Sequence, residues 1–544
     1  MAQLRFPLFF SLMAALGLAG LSPAHAQPTG FDALEDVGYW RDLCRLQAAA
    51  GEYEDAQTAC EQAIALAPEE ADIWAQHSGI LVNLEAFPDA IASANRSLSF
   101  DPENSLAITY QCVSYTALGE TEMALDKCND ALRVNGSWGS ENPALAWRYR
   151  GQILAQAQQH DMALVAYERT LLLEPDDSQT LTRQCEAYVA LARSRDAIET
   201  CTAALDSDQQ WGDLGPAIAW TYQGQAHSQL HQHNEAIFAY DQAIRLDPNN
   251  ALTWTAQGQV LDQLGRNAEA LVSYDRAVAI KADYSQALLG QCTLHNRLQT
   301  YEIALPACDA AIDGDGDWQT SSLAKAWNER SIALTGLGEF DEALATINRA
   351  VGIQPDYIAA HNHRGTILWY LGHYLQALEA NQQALNIDDT YAPAWFNRGV
   401  ILRAMGRYEQ SLAAYDEALA LNPFNAWGWT NRSVILWQLE AYTASLQSAQ
   451  QAIALAPESP SAWYNKGTAL SALGRHRDAV IAYNQVVALD ETHSDALTGR
   501  GVAQVHLGDD ESAMADLQAA LALNPEDSLA QSTLVALAER AAEP

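Results

Sequence analysis

Basic side chains are scarce in this sequence. Lys and Arg number 30 against 68 Asp and Glu, which leaves a formal net charge of −38 over 544 residues. Binding to the phosphates of a nucleic acid needs a basic surface, and so does attachment to an anionic membrane. The composition therefore predicts that nucleic acid is not a partner, and its acidity is typical of a long solvated surface.

Sequence motifs of catalysis are also missing. The chain contains no nucleophile elbow, no phosphate-binding loop, no H-E-x-x-H and no C-x-x-C. The segment Asp313–Asp317 has the D-x-D-x-D spacing that opens a calcium loop, but Trp318 replaces the required glycine and Ala324 replaces the chelating glutamate. A solvated acidic loop is favoured there, and calcium binding remains an open alternative. We predict no enzymatic activity, no catalytic residue, no cofactor and no metal site.

Long apolar runs are confined to the N-terminus. Arg5 precedes an apolar run from Phe6 to Leu21, and Ala24-His25-Ala26 follows it. This order is typical of a secretory signal peptide, and the run is too short and wrongly flanked for a transmembrane span. We predict a signal peptide at 1–26, a leader at 27–36, and an exported product, periplasmic or extracellular, without stable membrane insertion. An uncleaved anchor is the less favoured alternative.

The rest of the chain repeats a unit of about 34 residues, which residues 392–425 illustrate. Trp395, Gly399 and Leu402 are spaced to share one face of a first helix. Gly406 ends that helix, and a second helix runs from there to a proline near the end of the unit. Such a hairpin cannot bury its apolar face alone, so it must stack on copies of itself.

Fourteen units of this kind follow one another, and we number positions from the first residue of each. They begin at residues 37, 71, 105, 144, 178, 217, 251, 285, 324, 358, 392, 426, 460 and 494. Trp recurs at position 4, Gly at 8 and 15, Ala at 20, Tyr at 24 and Pro at 32. Residues 528–544 are expected to form a C-terminal capping helix with a polar outer face.

This pattern resembles the tetratricopeptide repeat family over nearly the whole chain after the leader. The resemblance implies an all-α fold: a right-handed solenoid superhelix of about fourteen helix-turn-helix repeats plus the capping helix. It also implies a concave face that is lined mostly by first helices and binds peptides or proteins. No residue range remains for a separate catalytic domain.

Eight cysteines occur in pairs that are 16 residues apart, always at positions 8 and 24 of one repeat. A hairpin that turns near position 16 brings these two positions to the same height, and an exported location lets disulfides persist. The predicted disulfides are Cys44–Cys60, Cys112–Cys128, Cys185–Cys201 and Cys292–Cys308. Free buried thiols and zinc binding are the alternatives considered. Repeats 1–8 (37–323) thus include four stapled hairpins, and repeats 9–14 (324–527) include none.

Three of the four cysteine repeats are 39 residues long and carry an additional tryptophan in the loop to the next repeat. These tryptophans are Trp138, Trp211 and Trp318. One interpretation is that each folds back over the end of its own hairpin. The other is a row of exposed aromatic loops that dock a partner.

The expected binding groove comprises positions 2, 5, 6, 9, 12 and 13 of the first helices, by resemblance to the family. Asn397, Asn431 and Asn465 occupy position 6 of three successive repeats, and an amide can donate to and accept from a peptide backbone. The ladder resembles the one in O-linked N-acetylglucosamine transferases; alternatively, asparagine simply suits this slot. The aromatic groove candidates are Phe396, Tyr464, Trp369, Trp437, Tyr110, Tyr149 and Tyr222.

We therefore expect an exported scaffold that binds a peptide or protein partner in its groove. The alternative is a structural or assembly component of the cell envelope or secretion machinery, which uses its convex face and tryptophan loops and can self-assemble.

Overall fold

The computed structural model describes residues 36–139, 141–212, 214–318 and 321–542. The predicted signal peptide, and the leader up to residue 35, lie outside these ranges. Within them the chain forms 29 α-helices and no strand, apart from one isolated bridge between Asn104 and Ser137. The all-α prediction is confirmed.

The helices form fourteen consecutive pairs followed by one last helix, α29 (Ser528–Ala542). The first helices of the pairs are α1 (Val37–Ala49), α3 (Ala71–Asn83), α5 (Ser105–Ala117), α7 (Ala144–Gln156), α9 (Ser178–Ala190), α11 (Pro216–Gln229), α13 (Ala251–Gln263), α15 (Ser285–Arg297), α17 (Leu323–Gly336), α19 (Ile358–Tyr370), α21 (Ala392–Ala404), α23 (Ala426–Gln438), α25 (Pro460–Ala472) and α27 (Ser494–Leu507). The second helices are α2 (Tyr53–Leu66), α4 (Phe87–Phe100), α6 (Thr121–Val134), α8 (His160–Leu173), α10 (Ser194–Asp206), α12 (His233–Leu246), α14 (Asn267–Ile280), α16 (Tyr301–Ile312), α18 (Phe340–Ile353), α20 (Tyr374–Ile387), α22 (Tyr408–Leu421), α24 (Tyr442–Leu455), α26 (His476–Leu489) and α28 (Asp510–Leu523).

The first helices begin where the repeat spacing predicts, with two small differences. Helices α11 and α17 each start one residue early. Pro216 suits the first turn of α11, because its missing N–H has no helical partner there. Ser322 caps α17, since its side chain accepts a hydrogen bond from the N–H of Lys325.

The helices fall into two compact units, one up to Val260 and one from Leu261. Within each unit, helices that follow one another in the chain pack side by side, as in a solenoid. This boundary differs from the one at 323/324 that separates stapled repeats from unstapled ones.

Every hairpin turns at a residue with positive φ at position 15. Eight of these residues are glycines, such as Gly406 (φ 70°), for which this conformation is free of Cβ strain. The other six are Glu85, Gln158, Ala192, His231, Gln299 and Glu440. A side chain there costs conformational energy, so the repeated geometry is imposed by the packing of the two helices rather than by glycine alone.

Small residues let the helices approach closely. The alanines at position 20 are fully buried, for example Ala56, Ala163 and Ala343. In two repeats this position is serine, and each serine hydroxyl donates to the carbonyl at position 8: Ser411 to Gly399 at 2.7 Å and Ser445 to Ser433 at 2.9 Å. The hydroxyl is thus buried with a partner, as burial of a polar group requires.

The position-4 tryptophans join successive repeats. In Trp74, Trp254, Trp395, Trp429 and Trp463 the indole Nε1 donates to a backbone carbonyl six residues earlier, in the loop that precedes the helix. Where tryptophan is absent, Gln531 donates to the equivalent carbonyl of Pro525 at 2.7 Å. In these repeats a side-chain donor at position 4 therefore fixes the loop, and tryptophan is not the only residue that can supply it.

Helix α29 covers the last hairpin. Its Ala530 and Leu537 are buried with Leu497 and Leu517 of the preceding pair. The expected polar outer face is wrong at Leu529 and Val535, because these side chains are 55% and 58% exposed.

Among the described residues, no helix combines the length and the apolar character that crossing a membrane requires.

Candidate functional site

The cysteines meet across their own hairpins. The structure pairs Cys44 with Cys60, Cys112 with Cys128, Cys185 with Cys201 and Cys292 with Cys308, with Cα–Cα distances of 5.1–5.4 Å. These are the pairs that the 16-residue spacing predicts, and all eight side chains are fully buried.

The loop tryptophans point inward. Trp138 packs against Ile108, Ala131 and Ala146, and Trp211 occupies the same place in its own module. Trp318 packs on the cluster that contains the Cys292–Cys308 disulfide. The structure therefore favours the first interpretation, in which each tryptophan covers the end of its hairpin.

A serine at position 1 anchors each of these loops, and we did not anticipate it from the sequence. The hydroxyl oxygens of Ser105, Ser178 and Ser285 accept loop N–H groups 31 residues later, at 2.9–3.0 Å. The available signal was serine at position 1 in all three loop-bearing repeats, where most other repeats have alanine.

The acidic segment Asp313–Asp317 forms hydrogen bonds and an ion pair within the protein. Burial alone would raise the pKa of Asp315. The carboxylate of Asp315 forms hydrogen bonds with Lys281 (2.5 Å) and with the N–H groups of Asp317 and Ser285, and these bonds hold its pKa below the usual value. The described residues contain no group of three or more His, Cys, Asp or Glu that could hold a metal ion.

A cavity of about 620 Å³ opens on the last repeats, and we call it the C-terminal cavity. Its first-helix lining consists of residues at the predicted groove positions, apart from Ala503 at position 10. These are Trp437, Ser471 (position 12), Tyr464, Thr498 (5), Thr468, Val502 (9), Asp495 (2), Gly499 (6), Ala472 and His506 (13). A smaller cavity of about 220 Å³ shares Trp437, Tyr464 and Thr468 with it. The aromatic pair Trp437 and Tyr464 therefore lies in the wall of both cavities.

The C-terminal cavity is acidic. Its lining includes Asp495, Glu526 and Asp527 but no Lys or Arg. Burial raises the pKa of Tyr464, and the negative charges of Asp495 and Asp527 raise it further. These two carboxylates are thus close enough to the phenol to act on it.

Asp527 has a structural task as well. Its Oδ2 accepts from the hydroxyl of Thr498 at 2.6 Å, and its Oδ1 accepts the N–H groups of Leu529 and Ala530 at the start of α29. Although burial alone would raise the pKa of Asp527, these hydrogen bonds hold it below its usual value. Asp527 is therefore ionised and already hydrogen-bonded.

The three asparagines of the ladder lie between first helices. Asn397 Nδ2 donates to Asn362 Oδ1 (2.8 Å) and Asn465 Nδ2 to the carbonyl of Thr430 (3.1 Å), so both reach the preceding repeat. Asn431 Nδ2 donates within its own helix, and its Oδ1 accepts from Arg403. Asn431 and Asn465 are only 7% and 9% exposed. The amide donors are therefore committed to the fold, and partner binding by this ladder stays a prediction.

Phe396 requires a correction. Its ring is 5% exposed and packs in the core with Tyr415, Leu419 and Ile435, so it is not an exposed groove aromatic. The cause is Gly428, where an added Cβ would lie 2.4 Å from the ring. Without that Cβ, the following helix leaves room for the ring beneath it.

The other aromatic candidates differ in how much surface they offer. Tyr110 packs on Gly79, and Tyr222 hydrogen-bonds to Glu186; burial raises the pKa of both. Both of these, together with Tyr149 and Trp369, are half-buried, whereas Trp437 is 39% exposed. Trp437 and Tyr464 are the two candidates that line the C-terminal cavity.

Sequence reasoning missed the polar part of that cavity. Asp495, Thr498 and His506 lie at groove positions 2, 5 and 13 of the last repeat, and Glu526 lies in the loop between α28 and α29. The groove prediction rested on aromatic residues and asparagines only. Reading the same positions for charge would have identified Asp495.

Comparisons with known proteins agree with this architecture. Four family models described as tetratricopeptide repeat match the chain and together cover more than half of it. The matched residues are 217–250 and 392–425 for one model, 42–105, 430–494 and 464–528 for another, and 239–272 and 324–357 for the other two.

A curated protein, the DnaJ homolog subfamily C member 7 homolog of Dictyostelium discoideum, is 22% identical over 182 residues. The match covers 31% of this chain and 33% of that protein, so the chain spans about a third of the relative's length.

Among solved structures, the APC/C hetero-tetramer Cut9–Hcn1 matches 93% of this chain and 96% of its own, with 14% identity and a TM-score of 0.46. YrrB, described as a tetratricopeptide protein with an unusual peptide-binding site, matches 34% of this chain and 96% of its own, with 21% identity and a TM-score of 0.32. These likenesses concern the fold alone. Fourteen helical hairpins in register, together with the matched repeat models, show that the chain belongs to the tetratricopeptide repeat family.

Proposed function

We propose that this protein is an exported interaction scaffold that binds a peptide, or an extended segment of a partner protein, along the first helices of its last repeats. Tetratricopeptide repeats are generally non-enzymatic scaffolds for protein partners. The observation that carries the proposal is the C-terminal cavity, to which first helices contribute residues from the positions that the family uses for binding.

Export is supported by the N-terminal pattern at 1–26 and by four disulfides, which persist in oxidising compartments. Sequencing the N-terminus of the protein recovered outside the cytoplasm tests this part. We expect a start at Gln27. Recovery of the intact N-terminus in the cytoplasm would contradict it.

The binding surface can be tested with a photo-crosslinking amino acid at Thr468, which lines both cavities. The matched control carries the same amino acid at Ala413, an exposed position on α22 outside either cavity. We expect a partner adduct from position 468 and none from position 413. Adducts from position 413 alone would favour assembly through another surface.

Assembly through the tryptophan loops, the alternative function, has no comparable support. The indoles of Trp138, Trp211 and Trp318 pack against their own hairpins rather than facing a partner.

A further inference from the structure

We propose that the C-terminal cavity takes a basic segment: an extended peptide that places a Lys or Arg side chain against Trp437 and Tyr464, within reach of Asp495 and Glu526. This inference rests on the proposed function and names the chemistry of the partner. It follows from the charge of the cavity, from the availability of two of its carboxylates and from the aromatic wall beside them.

The lining contains no Lys or Arg that would offset its acidic charge. The cavity has three carboxylates and two histidines, and the rings of His476 and His506 stack on each other with centroids 4.2 Å apart. Burial and the neighbouring His506 lower the pKa of His476, so protonation of His476 is disfavoured. An acidic peptide would meet like charges here, whereas a basic one gains by its complementarity.

Two of the three carboxylates are available to a ligand. Asp527 is occupied by Thr498 and by the start of α29. The carboxylates of Asp495 and Glu526 are exposed and take part in no hydrogen bond or ion pair among the described residues. By contrast, the carboxylate of Asp516 in the last repeat is paired with Arg500.

The aromatic wall suits a cation. Trp437 is partly exposed, and a guanidinium or ammonium group over an indole face is attracted by the ring electrons. The chain uses the same contact internally: Lys466 Nζ lies 4.6 Å from the ring centroid of Trp463, and Arg432 lies over Trp429. The volume of about 620 Å³ exceeds a single side chain, so the flanking residues of a peptide also find room.

The test is a selection from a random-sequence peptide display library on the full-length, disulfide-bonded protein, with counter-selection on the Trp437→Ala variant. Counter-selection retains the peptides that depend on the cavity. We expect these peptides to be enriched in Lys and Arg. We also expect their affinity to fall several-fold as the salt concentration rises.

Binding of the enriched peptides is then measured on Asp495→Asn, on Glu526→Gln and on the matched control Asp356→Asn, an exposed acid outside the cavity. We expect about a three- to fivefold loss for each cavity variant and no change for the control. Circular dichroism checks that all variants remain folded.

The two proposals fail in different ways. Cavity-dependent peptides that are neutral or acidic would overturn the basic partner and leave the groove function standing. A selection that yields no cavity-dependent peptide would overturn the groove function at this site and the basic partner with it.

Discussion

The stapled hairpins and the C-terminal hairpins fill the same two positions in different ways. In the stapled hairpins, cysteines at positions 8 and 24 are joined by a disulfide, as in Cys112–Cys128. In four of the others a glycine at position 8 faces a tyrosine ring at position 24; these glycines are Gly151, Gly224, Gly399 and Gly467. At Gly399, for example, an added Cβ would lie 2.8 Å from the ring of Tyr415. Both solutions fill the gap between the two helices, one with a covalent bond and the other with a large buried ring.

The two kinds of hairpin are therefore stabilised in different ways. A disulfide closes the hairpin in the unfolded state as well, so the stapled repeats depend less on their neighbours. The unstapled repeats depend on packing alone, and the C-terminal cavity lies among them. The proposed binding surface is therefore in the part of the chain whose hairpins have no covalent closure.

Removing the ring of Tyr415 should have the largest effect. The side chain is fully buried, and its loss leaves a cavity beside Gly399; we expect Tyr415→Ala to cost about 3–5 kcal/mol of local stability. Hydrogen exchange of α21 and α22 measures this, because a repeat array does not unfold in one step.

Tyr415→Phe is the matched control. The hydroxyl of Tyr415 is buried and has no hydrogen-bond partner among the described residues, so its removal should leave stability unchanged or slightly increased. A large loss in Tyr415→Phe would show that the hydroxyl, rather than the ring, holds this hairpin.

Removing one staple should have a somewhat smaller effect. We expect Cys112→Ala with Cys128→Ala to destabilise α5 and α6 by about 3 kcal/mol, because the disulfide limits the freedom of the unfolded hairpin. Hydrogen exchange should rise in these helices and stay unchanged in α21 to α28.

In the unmodified protein the repeats from 324 onward should open first, and equal protection in both regions would contradict the comparison.

The sequence was sufficient to predict the repeat frame. Helix starts and cysteine pairs follow from residues that recur at fixed positions, since each position has nearly the same surroundings in every repeat. Cys185 and Cys201 could be paired without a structure for that reason. The packing of one repeat is largely decided within the repeat itself.

The groove was less predictable, because its side chains depend on the neighbouring repeat. Phe396 is buried owing to Gly428, and the donor of Asn465 is taken by the carbonyl of Thr430. Both partners are about one repeat away in the chain. A position-by-position interpretation assigns a residue to the groove face but does not show whether the next helix covers it.

Acid should weaken the unstapled region at His363. Burial lowers the pKa of His363 to about 4 from an ordinary 6.5, although a hydrogen bond to Ser331 opposes this. The folded protein therefore binds fewer protons than the unfolded chain between these values. The contribution of neutral His363 to stability is fully present above pH 6.5 and is lost as the pH falls towards 4, by about 1.4 kcal/mol per pH unit.

The His363→Gln variant separates this effect from other titrations. The local stability of α19, measured by hydrogen exchange across this pH range, should fall more steeply in the unmodified protein, with a difference on the order of 3 kcal/mol at pH 4. Glu329 titrates in both proteins, and burial raises its pKa, which gives the opposite slope. Parallel curves would mean that the folded protein does not lower the pKa of His363.

The smallest expected effect concerns the loop of a stapled repeat. Ser285 Oγ accepts the N–H of Gly316 at 3.0 Å, and the backbone N–H of Asp315 donates to the carbonyl of Asp283 beside it. Ser285→Ala removes one acceptor and should cost about 1 kcal/mol, because the second contact and the packing of Trp318 remain. Exchange of the Gly316 amide should rise about fivefold while α15 and α16 stay protected.

Ser494, which begins an unstapled repeat without such a loop, is the control: Ser494→Ala should leave the Gly316 amide unchanged. If Ser285→Ala instead exposed the whole hairpin, the serine contact would be part of the staple rather than an anchor for the loop.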